Sequence, residues 1–226
     1  MNKTFNIDLY DGHLILIEDG MKILVDTGCP VTIGRERVFK FIDEEHSCYT
    51  SFEGRDIKGI SQLMEHDVDV LLGMDIISKY YVQTDYKNKQ ATFSVEPLLI
   101  EQMTSVPIIR GKMGEICINL EVKGENAIFA LDTGARISYI DQSFTVGESQ
   151  IGTRDDFNPM INHFKTPIFA MEASIDERCF PVNFGVLPPM LAMPLQMMGI
   201  YGVIGFDLFN AFMVVMDFND NKLYIQ

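Results

Sequence analysis

The tripeptide Asp-Thr-Gly occurs twice, at positions 26–28 and again 106 residues later at positions 132–134. Each copy closes an apolar run, Ile23-Leu24-Val25 in the first and Ile128-Phe129-Ala130-Leu131 in the second. Short apolar runs bounded by turn residues read as strands. A carboxylate at the end of such a strand lies at the rim of a core, and the glycine lets the backbone turn sharply away. Brought face to face, Asp26 and Asp132 would share one proton, because like charges at contact distance do not both ionise. Any fold for this chain has to account for both copies.

The repetition extends on either side. His13-Leu14-Ile15-Leu16-Ile17, an Asp19-Gly20 turn and Met21-Lys22-Ile23-Leu24-Val25 make a hairpin signal before Asp26. The same order precedes Asp132: Ile116 to Val122, a turn over Lys123-Gly124-Glu125-Asn126, then Ala127 to Leu131. Downstream, Leu71-Leu72-Gly73-Met74-Asp75 answers Val203-Ile204-Gly205-Phe206-Asp207 at an offset of 132, which continues through Asp85 and Asp217 to Phe93 and Ile225. Internal repetition of this kind means two copies of one supersecondary unit. The stretch Val95 to Met103 carries Pro97 and loses the alternation, so the halves are drawn as 1–100 and 101–226. No long amphipathic helix is evident, and the chain reads as mainly β.

Composition narrows the partners. Net charge is −14, which disfavours nucleic acid and anionic membrane surfaces. No apolar stretch approaches the roughly 18 residues of a membrane span; the longest candidate, Val186 to Ile204, is broken by three prolines and Gln196. The N-terminus lacks the pattern of a secretory signal, and Cys29, Cys48, Cys117 and Cys179 lack disulfide-scaffold spacing, so a cytoplasmic protein with free thiols is expected. The four histidines show no metal-ligand spacing and read as surface or packing residues. Cys29 has no neighbouring histidine to activate it. No cofactor or metal is expected.

Two Asp-Thr-Gly loops, each followed by apolar-apolar-Gly and a short helix, resemble the retropepsin-like and pepsin-like aspartic proteases. The resemblance covers roughly residues 13–93 and 116–225, and lobes of this size look like two retropepsin subunits fused in one chain. It implies two pseudo-symmetric β-barrel lobes, each with one short helix after the apolar-apolar-Gly motif. It further implies that Asp26 and Asp132 are the catalytic pair of an aspartic endopeptidase. One would act as general base on a shared water, and the other would donate a hydrogen bond to the scissile carbonyl. Thr27 and Thr133 would bond across to the opposite loop. Gly28 and Gly134 would leave backbone N–H groups free near the carboxylates, and Gly73 and Gly205 would pass behind the loops. The partner would be a peptide or protein substrate, taken by a two-lobed monomer with further association left open. Cys29 and Ala135 supply no hydroxyl beside the carboxylates, so the pair is expected to titrate high and to act at mildly acidic to neutral pH.

The halves are unequal. Asp26 to Gly73 spans 47 positions and Asp132 to Gly205 spans 73. In the family this interval carries the flap that closes over substrate. The first half is therefore expected to lack a flap, and the stretch 150–165 is the candidate in the second, with a plain surface loop as its alternative. A short first half and Pro30 also keep open a non-catalytic module that binds extended peptides or a protein partner. The Met-rich run 190–198 reads first as a buried connector and second as an adaptable wall for substrate side chains. Asp75 and Asp207 read as caps or dipole partners of short helices. Arg136 reads as an exposed charge or an ion pair between lobes, with contact to the carboxylate pair as the alternative.

Overall fold

The computed structural model describes residues 2–112 and 114–226. The chain is mainly β, built on one ten-stranded and one eight-stranded sheet. Strands His13–Glu18 and Met21–Val25 form a hairpin whose turn residues, Asp19 and Gly20, both take positive φ. This is the tight turn that matches the twist of paired strands. Strands Ile116–Val122 and Glu125–Leu131 repeat the arrangement, with Lys123 and Gly124 at positive φ.

Each hairpin then receives a parallel strand from far along the chain. Val70–Leu72 lies beside Met21–Val25, pairing Val25 with Leu72. Gly202–Ile204 lies beside Glu125–Leu131, pairing Leu131 with Ile204. The two aspartate N–H groups close these ladders identically, Asp26 to the Leu72 carbonyl and Asp132 to the Ile204 carbonyl, each at 3.0 Å. A short helix follows each, Met74–Ile77 and Phe206–Ala211.

The sheets do not divide at residue 100. Tyr81–Asp85 of the first half pairs with Val214–Asp217 of the second, and Thr104–Pro107 pairs with Lys222–Ile225 in the same ten-stranded sheet. The main apolar core runs through both halves and includes Phe41, Phe93, Phe129, Phe184 and Phe209. Each such side chain contributes about 1.5–3 kcal/mol by leaving water.

Two helices depart from the sequence expectation. Ile57–Met64 is an eight-residue helix capped by the Asp56 side chain, which accepts from the Gly59 N–H at 2.8 Å. Its Ile57, Ile60 and Met64 pack with Ile15, Leu24 and Leu71 in a second, smaller core under the first aspartate loop. The Met-rich run forms helix Pro189–Met197, and no residue in it is buried. Met190, Met193 and Met197 are 67%, 60% and 81% exposed, so the buried-connector reading is wrong. Pro194, inside this helix, has no N–H for the helical ladder. The helix is laid on the surface, with only Leu191, Ala192 and Leu195 turned partly inward. Among the described residues no helix is long and apolar enough to cross a membrane.

Candidate active site

The strands ending at Val25 and Leu131 deliver Asp26 and Asp132 to the floor of one cleft of about 410 Å³. The loops behind them are tied by a reciprocal network. The Thr27 hydroxyl donates to the Leu131 carbonyl at 2.9 Å and accepts from the Thr133 N–H at 3.0 Å. The Thr133 hydroxyl donates to the Val25 carbonyl at 2.8 Å and accepts from the Thr27 N–H at 3.0 Å. Both threonines are buried, so each hydroxyl satisfies groups that have no access to water.

The glycines set how closely the loops approach. A Cβ on Gly28 would lie 2.5 Å from Asp132 Oδ2, and one on Gly134 would lie 2.7 Å from Asp26 Cγ. Each carboxyl therefore faces the glycine of the opposite loop. The Gly28 and Cys29 N–H groups donate to Asp26 Oδ1 at 2.9 and 3.0 Å, and the Gly134 N–H donates to Asp132 Oδ1 at 2.8 Å.

Gly73 and Gly205 run directly behind these loops. The N–H of Met74 donates to the Cys29 carbonyl at 2.9 Å, and that of Phe206 to the Ala135 carbonyl at 3.0 Å. A matched relay braces each glycine. The Gly73 N–H donates to the Thr32 hydroxyl, which donates to Asp75 at 2.6 Å. The Gly205 N–H donates to the Ser138 hydroxyl, which donates to Asp207 at 2.6 Å. Asp75 and Asp207 thus sit in the first turns of their helices without capping them; the caps are Gly73 and Gly205. Thr32 and Ser138 were not singled out in the sequence, although they share the 106-residue offset of the two loops.

Electrostatics follow from this burial. Desolvation lifts the Asp26 carboxyl well above its usual 3.8, and the charge of Asp132 and a hydrogen bond with it lift it further. The Gly28 and Cys29 N–H groups pull partly the other way. Asp132 is also raised by desolvation, against the Gly134 N–H and the bond from Asp26. The two carboxyls interact, so their protonation is a property of the pair. Burial, then the Asp26 charge, push the Cys29 thiol up to about 12. Its Sγ turns to the Val31 carbonyl at 3.2 Å.

The cleft is roofed by a long hairpin. Strands Gln150–Asn158 and Asn162–Ile175 reach past the 150–165 stretch, and Phe157, Asn158, Pro159 and Met160 line the cleft from above. The first half is not bare, contrary to expectation. Strands Ser51–Phe52 and Arg55–Asp56 form a short hairpin, and Phe52, Glu53 and Arg55 line the cleft from the other side. Its strands are two residues each, which is why the shorter interval concealed it.

Arg136 does not reach for the dyad. It bonds Asp156 at 2.8 Å, the Asp155 carbonyl at 2.6 Å, and Asp11 of the first half. Asp156 is buried and also accepts from the Tyr139 hydroxyl, so this cluster fixes the base of the long hairpin. His13 is buried in the cleft wall, its Nδ1 bonded to the Tyr10 carbonyl at 3.2 Å and its ring stacked on Phe157 at 5.8 Å. Burial lowers its pKa and favours the neutral ring. Helix Pro189–Met197 forms one side of the cleft through Met190, Leu191, Pro194 and Leu195.

No protein-family model matches the chain, and no curated protein matches its sequence. Among solved structures, it is similar to the crystal structure of an aspartic proteinase from Irpex lacteus. The match covers 100% of this chain and 97% of that one, with a TM-score of 0.55 and 10% sequence identity. At that identity the likeness is one of fold.

Proposed function

We propose that this chain is an aspartic endopeptidase. The observation that carries the reading is the pair of facing carboxyls, Asp26 and Asp132, on loops cross-braced by Thr27 and Thr133. With one proton on the pair, the charged carboxylate takes a proton from a water held between them, and that water attacks the scissile carbonyl. The protonated partner donates a hydrogen bond to the carbonyl oxygen as negative charge develops there. Proton transfer to the leaving nitrogen then breaks the C–N bond and restores the shared-proton state. The raised pKa of both carboxyls supports action at mildly acidic to neutral pH rather than strongly acidic pH.

In this reading the 150–175 hairpin is the flap, and the Asp156 cluster is its fixed base. The apolar walls supplied by Phe52, Ile60, Leu71 and Leu191 accept apolar side chains of an extended polypeptide. The test is digestion of an unfolded protein across about pH 4 to 8, with products identified by mass spectrometry. Loss of either member of an acid–base pair costs on the order of 10²–10⁴ in rate. Cleavage by the wild type that falls by this order in Asp26→Asn supports the proposal. Peptide binding without cleavage at any pH would instead assign a non-catalytic peptide-binding module.

A further inference from the structure

We propose that Arg55 is a latch that holds the tip of the long hairpin, residues 157–163, shut over the cleft. The inference rests on reading the cleft as the peptide-cleaving site, and it adds a control element in the opposite half of the chain.

Arg55 donates from Nε to the Pro159 carbonyl at 2.8 Å and from its NH2 group to the Asn162 side-chain oxygen. It belongs to none of the ion pairs among the described residues. Its planar fork is therefore committed to two acceptors on the tip, a geometry that the point charge of a lysine does not reproduce. The mount is firm. Asp56 caps helix Ile57–Met64, and that helix is packed on the strands beneath Asp26.

Beyond Phe157 the tip has little else to hold it. The bonds from Arg136 and Tyr139 end at Asp156, which fixes the base and not the tip. Beyond it, Phe157 stacks on His13, lies under the Arg136 guanidinium at 5.8 Å and packs on the edge of the smaller core, while Met160 is 65% exposed. The cleft of about 410 Å³ falls in the range of small-ligand pockets. A six-residue extended segment is about 20 Å long, and lifting the tip would widen the cleft for a chain of that length. Lifting the tip breaks the two Arg55 bonds and draws Phe157 from His13 and the edge of the smaller core. Remaking them over bound substrate excludes water and holds the chain against the dyad. Arg55 thus acts as a positioning residue, apart from the reacting atoms.

Amide hydrogen exchange on the full chain without substrate tests this independently of any activity. A hydrogen bond to a charged group is worth enough that its loss shifts an opening equilibrium by about tenfold or more. Arg55→Ala is expected to speed exchange in 157–163 by about that factor. Exchange in 150–156 and in helix Ile57–Met64 should stay unchanged. Asn162→Ala, which leaves the first half untouched, is expected to act in the same direction with a smaller effect, and Arg55→Lys to fall between wild type and Arg55→Ala. Unchanged exchange at the tip in both alanine variants would overturn the proposal. So would a rise spread evenly over 51–64 and 150–175, which would make Arg55 a general structural tie. Because no substrate is present, a protein that cleaves nothing can still show the latch.

Discussion

Thr27 and Thr133 carry a constraint that spans the two halves. Each hydroxyl donates once and accepts once across the junction of the two halves, in a place closed to water. Thr27→Val keeps the shape and removes the hydroxyl, stranding the Leu131 carbonyl and the Thr133 N–H. Each unsatisfied buried group costs about 1–3 kcal/mol, so urea unfolding should show a loss of about 2 kcal/mol or more. Thr27→Ser, which keeps the hydroxyl, should lose much less. The dyad sets a second residue-scale expectation. Its carboxyls have raised folded-state pKa values, so they bind protons more tightly when folded than when unfolded. That contribution to stability is fully present below the ordinary carboxylate pKa of about 4 and is lost as pH rises through the raised values. The wild-type Tm should therefore fall over this window, and Asp26→Asn should flatten the fall and raise Tm at neutral pH. An equal pH slope in the two proteins would contradict the assigned burial.

At the scale of elements, helix Ile57–Met64 links the sequence to the site. Its Asp56 cap holds the helix that supports both the Asp26 strand and Arg55. Asp56→Ala is expected to cost about 1 kcal/mol in thermal or urea unfolding, the usual worth of such a cap. The helix was legible in principle. Asp56 precedes Ile57, Ile60 and Met64, a spacing that puts three apolar side chains on one face. It was hidden because it is only two turns long and sits in an interval judged by its shortness. The Met-rich helix was illegible for a different reason. Apolar residues fall on all its sides, so no periodicity marks the face that packs. The two aspartate loops were readable because each carries its constraint locally, in a carboxylate at a strand end followed by a glycine. The latch was not, because Arg55 and Pro159 are 104 residues apart and meet through a main-chain carbonyl, which carries no residue identity.

At the scale of the whole molecule, the internal repeat accounts for the pseudo-symmetry, and one sheet draws strands from both halves. Matched ladders end at Asp26 and Asp132, and matched relays run from Gly73 through Thr32 to Asp75 and from Gly205 through Ser138 to Asp207. Strands from both halves then join in one ten-stranded sheet, while the Asp132 strand belongs to the eight-stranded one, and the Thr27 and Thr133 bonds hold the two loops against each other. The mainly β character and the repeated halves were visible in the sequence, because the repeat is written in apolar runs and turn residues. The continuity of the sheet across residue 100 was not, since pairing between Val82 and Met216 depends on the fold rather than on neighbours. The asymmetry lies in what covers the cleft: a long hairpin from the second half meets a short one from the first.

The most direct test of the central claim compares hydrolysis of one peptide substrate by wild type, Asp26→Asn, Asp132→Asn and the double variant. A proton shared by the pair makes the two carboxyls one catalytic unit, and residues that act as a unit are strongly non-additive. Each single variant should lose kcat by about 10²–10⁴, and the double should lose little more than either single. A near-wild-type kcat in either single variant, or losses that multiply in the double, would contradict the account.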